Sequence, residues 1–170
     1  KAPYVDRLVH NAAGFGSHEA GDIKRDYDFS GFMMPYNVNT LGASRLGRSF
    51  LPLMEGGMKR LCFVSSEAGV VSVSHRNTIS SYGMSKTSLN MALRLMFNKL
   101  QPQGYSFRLY HPGWVRSAKV EKDGVEAARP FGGKFEPWET AQSAAPQFIK
   151  SRWWEDRMGL LDNEGAAWPF

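Results

Sequence analysis

Residues 80–90 read SSYGMSKTSLN, which puts Tyr82 four positions ahead of Lys86 in a segment of helical character. On a helix, positions i and i+4 are neighbours, with Cβ atoms ~5–6 Å apart. A free phenol titrates at about 10 and is a poor base at neutral pH, but a nearby ammonium can lower it by ~1–3 units. Tyr82 would then serve as a general acid or base. Ser66, in FVSSEAG, precedes Tyr82 by sixteen residues. A hydroxyl there can hold a carbonyl or alcohol oxygen beside the phenol. Asn39 lies in a helical stretch where asparagine is a mediocre choice, and it could bond backbone or water as part of a proton path. Each residue also has a plainer use. Lys86 could be a solvated surface lysine, Ser66 a strand-end turn cap, and Asn39 an indifferent helix-surface residue.

The elements that would position these residues follow from hydrophobic spacing. YVDRLVH (4–10) reads as a short strand ending at NAAGFG, and residues 22–30 have room for a short helix. From Tyr36 to Met54, the residues Val38, Leu41, Leu46, Phe50 and Leu53 recur at roughly helical intervals before a terminating Gly-Gly. The run 59–69, KRLCFVSSEAG, reads as a strand buried on both faces, with a loop over 70–79. A helix over 81–100 carries Leu89, Leu93, Met96, Phe97 and Leu100 as its apolar stripe. A strand near 105–110 stops at Pro112-Gly113, and residues 116–136 look like a mobile, charged, glycine-rich segment. A helix near 137–150 and a last strand at GLLD complete the pattern. Strands alternating with long helices predict an α/β fold with a parallel sheet, in which ligands bind beyond the carboxyl ends of the strands. NAAG, SSEAG and HPGWV each follow a strand, so all three belong on one rim.

The whole chain sets wide bounds. Its 170 residues are enough for one domain with a real core, and 42% hydrophobic with 22% charged residues is ordinary for a globular protein. The net charge is +5, yet the basic residues are scattered, so no nucleic-acid partner is expected. No apolar run reaches the length of a membrane span, and no metal site is expected. A single cysteine, Cys62 in LCFV, excludes an intramolecular disulfide and suits a buried core position in a reducing, cytoplasmic setting.

The ordered series HNAAG, NVNTLG, FVSSEAG, SYGMSK and HPGWV resembles the short-chain dehydrogenase/reductase family. The resemblance runs from residue 5 to about 150, and LLDNEGAAWPF is similar to the usual finish of such chains. It implies a Rossmann-like, doubly wound parallel sheet and hydride transfer between NAD or NADP and a small-molecule carbonyl or alcohol. By the resemblance, Tyr82 is the catalytic acid/base, Lys86 lowers its pKa and bonds the nicotinamide ribose, Ser66 holds the substrate oxygen, and Asn39 keeps a water in the proton relay. Asn11, Ala12, Ala13 and Gly14 match the family's Asn-Asn-Ala-Gly cofactor turn, with Ala12 in place of the second asparagine. Pro112, Gly113 and Val115, with Ser117 where threonine is common, match the turn at the nicotinamide end. Trp114 and residues 116–136 would line or cover the substrate pocket, where Arg116, Lys119 and Lys122 could meet a charged group. Trp114 could equally be core. Trp153, Trp154 and Trp168 would pack against a neighbouring subunit or the C-terminal strand.

One departure is large. The family's opening strand, glycine-rich turn and helix, which receive the pyrophosphate, have no counterpart here, nor does the residue that selects NAD or NADP. The resemblance implies that residues 1–170 are the C-terminal catalytic part of a single incomplete Rossmann domain, starting at its fourth strand, with roughly 80 residues preceding it. Such a chain would expose a strand edge and bind cofactor poorly by itself. Two readings stay open: an enzyme working as a homodimer or homotetramer through helices 36–54 and 82–100, and a non-catalytic truncated scaffold that dimerises through the same helices. An extended epimerase fits less well, because only 88 residues follow Tyr82.

Overall fold

The computed structural model describes residues 4–15, 24, 29–116, 120–122, 125–127, 133–151 and 155–170. Ser117, Lys119, Trp153, Trp154 and most of the expected helix at 22–30 lie outside these. Four parallel strands, β1 (Arg7–His10), β2 (Arg60–Val64), β3 (Ser106–His111) and β6 (Leu160–Asp162), lie side by side in that order. The short β7 (Ala167–Trp168) closes the far edge antiparallel to β6. Sequence reading missed β7, whose two residues are too few to show an alternating pattern. Parallel neighbours need crossovers, and helices supply them. Within 116–136, β4 (Val120–Lys122) and β5 (Val125–Ala127) form a separate antiparallel hairpin where only a mobile segment was expected.

The helices cover both faces of the sheet. Leu61, Phe63, Phe107, Leu109 and Leu160 pack with Leu89, Leu93, Phe97 and Leu100 of α2 (Ser80–Leu100) and with Ala43 and Met54 of α1 (Ala43–Met54). Cys62 and Tyr110, on the opposite face, meet Phe148 of α3 (Pro137–Ile149). This is the doubly wound arrangement expected of the sequence. Cys62 is fully buried, and burial pushes its thiol up to about 12, so it is core. Among the described residues β1 pairs on one side only, and Val9 is 46% exposed.

The first crossover differs from its expected form. It opens as a 3-10 turn (Ser30–Phe32) and one α-helical turn (Met33–Pro35), widens into a π-helical segment (Tyr36–Gly42) and only then becomes α1. A π turn holds one more residue than an α turn and so rotates every later side chain by roughly 100°. The expected stripe is displaced accordingly. Leu46 and Phe50 are half-buried and Leu53 is 52% exposed, whereas Asn39, Thr40, Ala43, Gly47 and Met54 face inward.

Beneath the amino ends of β2 and β3, buried arginines tie the sheet to α3. Arg60 donates through Nη1 to the carbonyls of Phe148 (3.0 Å) and Ile149 (2.8 Å) and through Nη2 to Glu155 (3.0 Å). Arg108 also pairs with Glu155. A cation at a helix C-terminus meets the carbonyls that the helix leaves unbonded.

Candidate active site

β1, β2 and β3 run in the same direction, so the turns that follow them share one rim, as expected. α2 passes beneath that rim and turns Tyr82, Ser85, Lys86, Leu89 and Asn90 inward. Asn90 fixes the turn after β2: its side chain accepts from Ser65 Oγ (2.6 Å) and donates to the Gly69 carbonyl (3.2 Å). Gly69 is required there, because a Cβ would lie 2.7–2.8 Å from the backbone of Lys86. The close approach sets Ser66 and Lys86 at fixed spacing.

Asn39 is fully buried. Its amide accepts from Gly14 N and donates to Gly14 O, both at 2.8 Å, and donates to Ser85 Oγ at 2.8 Å. Ser85 Oγ in turn donates to the Tyr82 carbonyl at 2.7 Å. Asn39 thus locks the turn holding Asn11, Ala12, Ala13 and Gly14 to the helix that carries Tyr82. Asn11, Ala12 and Ala13 stay exposed to solvent. The π segment explains Asn39: the extra residue turns its side chain inward.

Lys86 is 1% exposed, donates to the Val64 carbonyl at 2.9 Å and lies 5.7 Å from the centroid of the Tyr82 ring. Burial pushes its ammonium down to about 8. The Tyr82 phenol is pushed up to about 12, chiefly by burial, with the Glu67 carboxylate acting in the same direction against a Ser66 hydrogen bond and the Arg76 charge. The expected lowering of the phenol by Lys86 is therefore not what this arrangement produces, because desolvation of both groups dominates. The Phe15 ring stacks on Tyr82, with centroids 4.5 Å apart and planes 15° apart.

Ser66 does cap a turn: its Oγ accepts from Ala68 N at 3.1 Å and starts the 3-10 turn Glu67–Gly69. The same hydroxyl donates to Glu67 Oε2 at 2.7 Å. The turn-cap reading of Ser66 is therefore observed. Glu67 also pairs with Arg76 and lies 3.4 Å from His111 Nε2. Burial disfavours its charge, yet the Arg76 and Ser66 hydrogen bonds, the Arg76 charge and His111 when protonated bring the carboxyl below its ordinary range.

After β3, Pro112 and Gly113 turn the chain. Gly113 has φ +74°, and a Cβ there would strike the Phe135 ring at 2.8 Å. Val115 bridges Phe135, and Trp114 is 63% exposed at the rim rather than part of the core. Trp168 packs edge-on against His111 and donates to Asp162 at 3.0 Å, within the C-terminal strand pair. Sequence reading missed Phe15, Glu67, Ser85, Asn90 and His111. For Glu67 and His111 a signal existed in their positions at the ends of adjacent strands. Nothing local marks Phe15.

The sequence matches the short chain dehydrogenase family over residues 1–127. It is 34% identical over 128 residues to C-signal of Myxococcus xanthus, covering 74% of this chain and 73% of that protein. An uncharacterized oxidoreductase of Schizosaccharomyces pombe is 31% identical over 119 residues, 69% of this chain and 46% of that protein. Among solved structures, the carbonyl reductase Sniffer of D. melanogaster superposes with a TM-score of 0.76 at 19% identity, over 99% of this chain and 67% of that one. An NADPH-bound carbonyl reductase from chicken fatty liver gives 0.72 at 20%, with the same coverage. The chain belongs to the short-chain dehydrogenase/reductase family. It spans less than half of the yeast oxidoreductase and about two thirds of the solved reductases.

Proposed function

We propose that this chain carries the proton-transfer half of an NAD(P)-dependent oxidoreductase acting on a small carbonyl or alcohol, with Tyr82 as the acid/base. The observation that carries this reading is convergence. Asn39, Ser66, Tyr82 and Lys86 come from three separate segments, all are buried, the Lys86 ammonium lies over the Tyr82 ring, and Asn39 reaches the Tyr82 backbone through Ser85. A structural core has no need to bury a lysine beside a phenol, since each desolvated polar group costs free energy.

The residues present fit the nicotinamide end of a dinucleotide. Two solvent-facing turns, Asn11–Gly14 and Pro112–Val115, flank the buried pair, and the Lys86 ammonium has N–H donors beyond the one given to Val64. Asn11, Ala12, Ala13 and Gly14, with Pro112, Gly113, Val115 and Ser117, would hold the cofactor, and Lys86 would bond its ribose hydroxyls. When bound, NAD or NADP supplies the hydride chemistry. Tyr82, protonated at neutral pH, donates to the substrate oxygen, Ser66 positions that oxygen, and Asn39 keeps the relay beneath the turn in place. Trp114 borders the substrate side. Phe15 has to leave the face of Tyr82 for any ring to approach it.

The domain reading extends this proposal: residues 1–170 form the C-terminal catalytic part of one Rossmann domain, for which the one-sided pairing of β1 gives support. Met84, Met91 and Leu95, each at least 60% exposed along α2, support a homodimer or homotetramer through 36–54 and 82–100. A second reading, a non-catalytic scaffold using these helices, is favoured by the Phe15 ring over the phenol. Tyr82→Phe in the full-length protein decides between them. Turnover should fall ~10²–10⁴-fold with the fold intact by circular dichroism, and unchanged turnover would remove the enzymatic reading. The cytoplasmic setting is proposed from the lone buried cysteine. No helix among the described residues is long and apolar enough to cross a membrane.

A further inference from the structure

The ring of Tyr82 is covered by a side chain that no step of the chemistry uses. Phe15 lies over it with centroids 4.5 Å apart and planes 15° apart, the geometry of an offset stack. Tyr82 is only 8% exposed, whereas the covering Phe15 is 52% exposed. The cover is thus half in water and is not part of the core. A flat ring already fills the space over the phenol.

The backbone up to Gly14 is fixed, but the Phe15 ring is not. Asn39 bonds both the N–H and the carbonyl of Gly14 at 2.8 Å, so the turn stays in place when the ring moves. Rotation about the Phe15 χ1 bond carries the ring off Tyr82 without disturbing that turn, and exposed side chains make such rotations in picoseconds to nanoseconds. Met34, itself exposed, has its sulfur 2.8 Å from where a Gly14 Cβ would lie, so apolar surface borders the turn. An aromatic stack favours the covered arrangement over the open one by ~2–12-fold. A ligand that offers Tyr82 another flat ring replaces that stack like for like. A puckered aliphatic ring forfeits it.

We propose, resting on the oxidoreductase reading, that the face of Tyr82 is a slot for the flat ring of an aryl ketone or aldehyde, and that Phe15 keeps the slot filled until such a ring displaces it. In an offset stack a group on the upper ring overhangs the rim of the lower one. A carbonyl attached directly to the incoming ring therefore comes over the rim of Tyr82, where the phenol hydroxyl is. Phe15 acts as a competitor carried by the chain itself. Every ligand of this face meets a site of which only the uncovered fraction is open, and its apparent Kd rises accordingly. The same cover keeps water off the ring face while the slot is empty.

Ring-labelled phenylalanine NMR on the full-length protein reports the cover directly and without turnover. The Phe15 signals are assigned by their loss in Phe15→Leu, and Tyr82→Leu gives their position with no ring beneath. Acetophenone should move them from the stacked to that unstacked position, in the parent and equally in Tyr82→Phe, which keeps the ring and removes only the hydroxyl. Cyclohexyl methyl ketone, with the same carbon skeleton and no flat ring, should bind ~2–12-fold more weakly. Phe15→Ala should lower the acetophenone Kd by ~3–14-fold, because the covered fraction of sites is freed. Phe15→Leu should lower it in part, and it serves if Phe15→Ala does not fold. Phe15 signals unmoved up to the solubility limit of acetophenone, equal affinity for the two ketones, or an unchanged Kd in both Phe15 variants overturns the proposal. Displacement by nicotinamide mononucleotide but not by acetophenone overturns it as well, by giving the slot to the cofactor ring. If Tyr82→Phe abolishes turnover while acetophenone leaves Phe15 in place, the proposal fails and the reductase reading stands. If Tyr82→Phe keeps turnover while acetophenone displaces Phe15, the reading fails and the slot stands as an aryl-binding site.

Discussion

The two ends of the parallel sheet each bury a cation, and they treat it in opposite ways. At the amino end, Arg60 is 2% exposed and spends its guanidinium on the last carbonyls of α3 and on Glu155, with Arg108 on the same carboxylate. At the carboxyl end, Lys86 is equally buried, yet it meets a single carbonyl and the face of a phenol. The first arrangement balances desolvation with hydrogen bonds and a counter-charge. The second leaves the ammonium pushed down to about 8. The arginine has an opposite charge and several carbonyls to meet, the lysine a single carbonyl and no carboxylate hydrogen-bonded to it.

Removing charge should therefore have opposite consequences at the two ends. The largest effect is expected for Glu155→Gln, which strips the shared counter-charge from Arg60 and Arg108. Because Glu155 is itself about one-third exposed, the loss should be ~3 kcal/mol, at the low end for breaking a buried pair. Chemical denaturation measures it, and a neutral result would mean that the α3 carbonyls suffice. Lys86→Met should instead stabilise the chain at pH 7, by about 2 kcal/mol, while removing the ammonium that the proposed chemistry uses.

The pH dependence sharpens the same contrast. Lys86 falls from 10.5 unfolded to about 8 folded, so between those values the unfolded chain binds more protons and stability rises with pH. The strain is fully present below about pH 8 and relieved by about 10.5, amounting to roughly 3 kcal/mol. Cys62 and Tyr82, both pushed up to about 12, pull the other way at higher pH. The quantity to measure is the difference between parent and Lys86→Met denaturation curves, which should narrow across pH 8–10 and not elsewhere. The smallest effect should come from Ser85→Ala, which cuts the link between Asn39 and Tyr82 without touching a charge. It should cost about 1 kcal/mol of stability by thermal melting.

The sequence made some of this legible and hid the rest for definite reasons. Alternating strands and helices disclosed the sheet, because β2 and β3 are buried on both faces and read as continuous apolar runs. Tyr82 and Lys86 were legible because one helical turn brings them together. The inward face of the first crossover was not, since periodicity assumes a uniform helix and the π segment breaks it after Tyr36. Arg76 follows Glu67 by nine residues along an irregular loop and His111 follows it by forty-four, so only the fold of that loop and the register of β2 with β3 bring the two to the carboxylate. The phenol's direction of shift was misjudged for a related reason: residue spacing reveals a neighbour but not the loss of water around it.

The π segment has one more consequence. A surface helix usually tolerates loss of a residue by sliding its end, yet the stretch Tyr36–Gly42 stores its surplus residue as an angle. Deleting one residue there would relax it to an ordinary helix and turn Asn39 out of its place between Gly14 and Ser85. Chain length across those seven positions thus decides where Asn39 points, and a deletion that leaves Asn39 itself in place should still break its bonds to Gly14 and Ser85.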